Sequence, residues 1–67
     1  MGLGNHLFHA RKKKGLSQEE VAGKLGVSRQ TISKWETDET LPDIRQSKRL
    51  AVMYGLSLDE LIEFDID

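Results

Sequence analysis

The sequence predicts an all-α domain of five short helices packed on one small core. Three observations point to it. Apolar residues recur at three- and four-residue spacings, and no run alternates long enough to read as a strand. Ser or Asp is followed three residues later by Glu or Gln at Ser17/Glu20, Asp43/Gln46 and Ser57/Glu60, the capping-box pattern of a helix start. Glycines stand where helices should stop, at Gly15, Gly26 and Gly55.

Taken in order, the first helix covers about residues 3–14, with Leu3, Leu7 and Ala10 on one face and Arg11 to Lys14 in the last turn, where cations complement the helix dipole. Leu16 is placed to staple against Val21 as the chain enters the second helix, about 18–25. Ser17 caps that helix, Val21, Ala22 and Leu25 form its apolar face, and Gly23 weakens it by roughly 1 kcal/mol relative to Ala. Gly26-Val27-Ser28 turns the chain into a third helix, about 28–36, with Ser28 as cap and Ile32 and Trp35 directed inward. A polar loop, Thr37 to Thr40, is closed by Leu41-Pro42. Asp43 then caps a fourth helix, about 44–54, whose expected apolar side is Ile44, Leu50, Ala51 and Tyr54. Ser57 opens a fifth, about 58–64, carrying Leu58, Leu61 and Ile62.

Sixty-seven residues make one domain, and a chain this short buries only about 60% of its unfolded surface. Without cysteine there is neither a disulfide nor a thiolate metal site. No apolar stretch approaches the roughly 20 residues of a membrane span, so a cytoplasmic protein is the default. The net charge of −1 conceals a polarity. Residues 1–50 hold ten Lys and Arg against six acids, a net +4; residues 51–67 hold five acids and no Lys or Arg, a net −5. One side of the domain can therefore face phosphate while the acidic end points away.

Two helices joined by a short Gly-containing turn form a helix-turn-helix, which needs further elements to cover its apolar faces. The outward side of the third helix presents Arg29, Gln30, Ser33 and Lys34, the side-chain types that read base edges in a DNA major groove. Catalytic chemistry has no constellation behind it. His6 and His9 share a spacing that suits two metal ligands, but no third ligand accompanies them, and Asp59, Glu60 and Glu63 read as a solvated acidic helix. The expectation is a binding protein and not an enzyme, with no cofactor, metal or small-molecule ligand.

At GLSQEEVAGKLGVSRQTISKWE, residues 15–36, the chain resembles the Cro/lambda-repressor-type helix-turn-helix domains, also called the xenobiotic-response-element family. Leu41-Pro42-Asp43 and Gly55-Leu56-Ser57-Leu58-Asp59-Glu60-Leu61 extend the match, which runs from Leu3 to Phe64. The resemblance implies a compact five-helix lambda-repressor-like fold and a sequence-specific transcriptional regulator of double-stranded DNA, most simply a repressor. It places Ala22 where the two motif helices approach closely, and Ser28, Arg29, Gln30, Thr31 and Lys34 at groove-facing positions. It gives Gln18 a phosphate contact that also braces the recognition helix near Arg29, and it pairs Arg11 with Glu36 as a partly buried ion pair. Where many members carry Asn-Gly after the third helix, this chain has Thr37-Asp38, and Asp38 and Glu39 would repel a phosphate there.

Arg29 is the first choice for direct readout, bidentate to guanine; Gln30 can pair with adenine or bond a phosphate; Thr31 can present its methyl to thymine; Lys34 reaches a base or the backbone. Phosphate contacts are expected from Gln18, Ser33, Lys14 and Arg45. Two copies on a pseudo-palindrome are expected, as a homodimer through the C-terminal helix using Leu58, Ile62, Phe64 and Ile66. The competing reading is an antitoxin-like or adaptor module whose main ligand is another protein. Its support is the acidic, apolar-tipped C-terminus.

Overall fold

A computed structural model describes residues 2–62. It contains α1 (Leu3–Lys13), α2 (Gln18–Leu25), α3 (Arg29–Glu36), α4 (Ile44–Tyr54) and α5 (Leu58–Leu61), and no strand among the described residues. The fold is all-α, as the periodicity predicts. Helix limits differ slightly from expectation: Lys14 and Ser28 are caps rather than helical residues, and α5 ends at Leu61 with Ile62 as its cap. The expected extension to Phe64 lies outside the described residues.

Local chemistry sets these limits. Ser17, Asp43 and Ser57 each accept from the backbone N–H three residues on and receive the reciprocal Glu or Gln side chain at their own N–H, so both orphan donors are satisfied. Ser28 caps α3 alone, accepting from Thr31 N at 3.2 Å. Gly26 closes α2 in the left-handed region at φ 72°, which lets the chain reverse into α3 within one turn.

α1 starts differently. Gly2 occupies its N-cap position and has no side chain to offer, and the missing acceptor comes from 34 residues away, where Asp38 Oδ1 receives the Gly4 N–H at 2.9 Å. The carboxylate also sits favourably at the positive end of the helix dipole. Asp38 reaches it from a left-handed backbone, φ 63°, the conformation for which a glycine is the usual choice. The approach is close: a Cβ on Gly4 would lie 2.6 Å from the carbonyl oxygens of both Trp35 and Glu36. The start of α1 thus rests directly on the end of α3.

Leu7, Val21, Ala22, Leu25, Ile32, Trp35, Leu50, Ala51, Tyr54 and Leu61 form one core to which every helix contributes. At about 25 cal/mol per Å² such burial is the main stabilising contribution, and α3 depends on it because an eight-residue helix is marginal alone. One core assignment is corrected. Ile44 is 68% exposed, and Ser47, 5% exposed, takes the inward position with Leu50, Ala51 and Tyr54. Those three set the rotation of α4, and Ile44, in its first residue, lies beyond the edge of the core they cover.

Candidate nucleic-acid interface

α3 carries its functional residues by rotation. Ile32 and Trp35 are buried, which turns Gln30 and Lys34 to the opposite, exposed side. Arg29 is also exposed, on the flank toward α2, while Thr31 and Ser33 are half-buried. The Ser28 and Thr31 hydroxyls lie 3.0 Å apart and share a hydrogen bond, so both are engaged in the first turn of the helix. The last turn is closed from the loop: Thr37 Oγ1 lies within hydrogen-bond distance of the Ser33 and Lys34 carbonyls, and Glu39 N donates to Lys34 O at 2.9 Å.

Beside the N-terminal end of α3, a cleft is lined by Arg11, Lys12, Gln18 and Arg29 together with the first turn of α2. Arg29 Nη1 donates to Gln18 Oε1 at 3.3 Å, and Gln18 Nε2 donates to Glu36 Oε1 at 3.0 Å. Glu36 is gripped by Arg11, through Nε to Oε2 at 2.7 Å and Nη2 to Oε1 at 3.1 Å, the paired geometry that a guanidinium makes with a carboxylate. Arg11 Nη1 also donates to the Leu16 carbonyl at 2.8 Å. The side chains of the pair are 8% and 4% exposed. Their environment leaves a signature: the hydrogen bond to Glu36 raises the Arg11 pKa further, against the opposing cost of burial. Burial, followed by the charge of Glu36, pushes the nearby Tyr54 hydroxyl up to about 12, with Arg11 acting in the opposite direction. Glu20 is held below the usual carboxylate range by the Ser17 backbone N–H and hydroxyl.

The basic run at the end of α1 divides by direction. Arg11 turns inward, Lys12 lines the cleft with Gln18 and Arg29, and Lys14 lies against Gly55, where an added Cβ would stand 3.2 Å from its ammonium nitrogen. Lys14, expected near phosphate, is exposed beside the end of α4, and Lys12 lines the cleft with Arg29. Arg45 is exposed on α4 and shares a shallow groove with Lys48, Arg49, Val52 and Met53. Arg49 Nη2 donates to Lys24 O at 3.0 Å and ties α4 to the last turn of α2. No local sequence signal announces that contact. Asp38 is exposed in the loop, with one of its oxygens engaged by the start of α1. His6 Nδ1 lies 3.4 Å from Leu61 O and His9 packs edge-on to Phe8, and no group of three His, Asp or Glu suited to a metal occurs among the described residues. Leu58 and Ile62 are half-buried, whereas Phe64 and Ile66 lie outside the described residues.

Comparison with known proteins places this geometry in context. Residues 7–61 match the helix-turn-helix family. Among curated relatives, the HTH-type transcriptional regulator ImmR of Bacillus subtilis is 37% identical over 97% of this chain and 51% of its own. The HTH-type transcriptional activator BcrR of Enterococcus faecalis is 36% identical over 92% of this chain and 30% of its own. The chain thus spans about half the length of the first and under a third of the second. Among solved structures, the P22 c2 repressor in complex with a synthetic operator superimposes with a TM-score of 0.88 at 31% identity, covering 97% of this chain and 98% of the repressor chain. With its five helices, its α2–α3 motif and these matches, the chain belongs to the Cro/C1-type helix-turn-helix family.

Proposed function

We propose that the chain is a sequence-specific double-stranded DNA-binding transcriptional regulator, acting as a repressor, that inserts α3 into the major groove. The observation that carries this reading is the division of α3: Ile32 and Trp35 buried on one side, Gln30 and Lys34 exposed on the other, and Arg29 held at the groove end by Gln18. Direct readout falls to Ser28, Arg29, Gln30, Thr31 and Lys34; the bond shared by the Ser28 and Thr31 hydroxyls leaves one of the two O–H groups and the Thr31 methyl group for the bases. Gln18, Ser33, Lys14 and Arg45, joined by Lys12 at the cleft, supply contacts to the backbone, which position the domain without reading sequence. A domain of this size makes few contacts, so two copies bind a pseudo-palindrome with half-sites about 34–36 Å apart. The partner surface is the α5 end, from Leu58 and Ile62 onward.

Selection of bound sites from random duplex DNA, followed by titration at several salt concentrations, tests this. The expected result is a two-fold symmetric motif and a log–log salt slope of about −0.9 per phosphate contact. Arg29→Ala should abolish preference at one or two base pairs, whereas Lys12→Ala should weaken all sites alike and reduce the slope. Weak, sequence-blind binding would favour the protein-interaction module instead.

A further inference from the structure

Two turns of an α-helix take about seven residues, so Arg29 and Glu36 lie along the same side of α3. Gln18, at the first turn of α2, bridges them: its Nε2 donates to Glu36 Oε1 at 3.0 Å and its Oε1 receives Arg29 Nη1 at 3.3 Å. We propose that Glu36 is a positioning residue for base recognition, acting through the Gln18 amide to set where Arg29 is presented to the groove. This gives Glu36 a role separate from its ion pair with Arg11.

Hydrogen-bond polarity fixes how the Gln18 amide must lie. A carboxylate only accepts hydrogen bonds and a guanidinium only donates them, whereas a primary amide does each at a different end. Between Glu36 and Arg29 one orientation of Gln18 makes both bonds, with nitrogen toward Glu36 and oxygen toward Arg29. Glu36 can impose that orientation because its side chain is 4% exposed and its carboxylate can only accept, from Gln18 as from any donor. The far end of the relay is open, since Arg29 is exposed. Anchored at the buried end and free at the solvent end, the chain of bonds restricts Arg29 before any ligand arrives, which lowers the ordering cost of binding. The same orientation leaves the second N–H of Gln18 for a phosphate oxygen. A reversed amide would lose Arg29 and turn its oxygen toward the phosphate.

The consequence for base preference rests on the DNA-binding reading above, but the relay itself can be measured without DNA. Three variants separate its roles: Glu36→Gln, Arg11→Met and Gln18→Met, each compared where circular dichroism shows it folded. In the free protein, the Arg29 side-chain Nε–H resonance should shift in Glu36→Gln and Gln18→Met but not in Arg11→Met. Discrimination at the Arg29 base pair should fall by roughly tenfold in the first two and hold in the third. In a Gln18→Met background, adding Glu36→Gln should change neither readout. Gln18→Met leaves the Arg11–Glu36 pair intact, so it remains folded and informative even if Glu36→Gln does not fold. An unmoved Arg29 resonance in Gln18→Met overturns the relay. So do equal effects of Arg11→Met and Glu36→Gln, or an undiminished effect of Glu36→Gln without Gln18. A responsive Arg29 resonance in a protein that selects no DNA motif would keep the relay and sink the recognition reading.

Discussion

Arg11→Ala should be the most damaging single polar substitution in the domain. It removes three hydrogen bonds and leaves a carboxylate that is 4% exposed with Gln18 as its remaining partner, as well as a Leu16 carbonyl without its donor. Breaking a buried pair from one side typically costs about 3–5 kcal/mol, because the stranded charge keeps its desolvation penalty. A domain of 67 residues has roughly 3–10 kcal/mol to lose, at about 0.05–0.15 kcal/mol per residue. The variant should therefore sit near its unfolding midpoint at room temperature, or melt at least about 12 °C lower, taking about 4 °C per kcal/mol. Trp35, the single tryptophan and 3% exposed, reports the transition by fluorescence in urea or on heating. Replacing both charges, as Arg11→Met with Glu36→Leu, removes the stranded group and should cost only about 1–2 kcal/mol for the partners left at Gln18 and Leu16. The double variant should thus be more stable than the single one. Added salt should not narrow the gap between Arg11→Ala and the parent protein, since a buried pair is poorly screened. A loss below about 1 kcal/mol, the range of an exposed ion pair, would refute the reasoning. A double variant less stable than Arg11→Ala would refute it equally.

Tyr54 is the single tyrosine, so tyrosinate absorbance follows it directly; the folded protein should ionise near 12 and the urea-unfolded chain near 10. The folded state holds the proton longer, so stability is intact below pH 10 and falls as pH rises from 10 through 12; ionisation near 10 in the folded protein would contradict the burial of this hydroxyl. Glu20 and Glu60 are held low by the backbone N–H and hydroxyl of Ser17 and Ser57, so their contribution is present above the ordinary carboxylate value of 4.5 and disappears as pH falls below it. Thermal melts of Glu20→Gln with Glu60→Gln should lie slightly below the parent at pH 7, where Gln still serves a capping box but lacks the charge, and show a shallower acid limb. At Asp38, stability should decrease in the order Asn, Gly, Ala. Asn keeps both the acceptor and the left-handed backbone, Gly keeps the backbone alone, and Ala loses both, for about 1–3 kcal/mol. Equal melting temperatures for Asn and Ala would show that the contact to Gly4 contributes nothing.

Features encoded within a few residues were legible in the sequence. The caps at Ser17, Ser28, Asp43 and Ser57 and the stop at Gly26 follow from side-chain reach along one turn, and the structure shows each. Rotation was harder to read. Four consecutive cations, Arg11 to Lys14, point in every direction around a helix turn, and only packing decides that Arg11 meets Glu36, Lys12 the cleft and Lys14 the end of α4. Ile44 has the right spacing for the core but lies past its edge, while Ser47 looks polar and is buried. Contacts between distant positions left no local trace. The Asp38 cap on α1 spans 34 residues and the Arg49 bond to Lys24 spans 25, so neither belongs to any pattern readable along the chain. The departure at Thr37-Asp38 was visible, but its use was not.

The side chains of α3 fall into two groups with different evolutionary freedom. Gln30 and Lys34 project from a helix whose start is held by Ser28, whose middle is held by Ile32 and Trp35, and whose end is held by Thr37 and Asp38. Neither side chain takes part in that support, since Lys34 contributes only its backbone carbonyl, so exchanging them changes what is read while leaving the scaffold as it was. Arg29 cannot be exchanged so freely, because its partner Gln18 is also bonded to Glu36. A lineage that duplicated this gene could drift to new operators through positions 30 and 34 one mutation at a time. A change at position 29 would require a matching change on another helix.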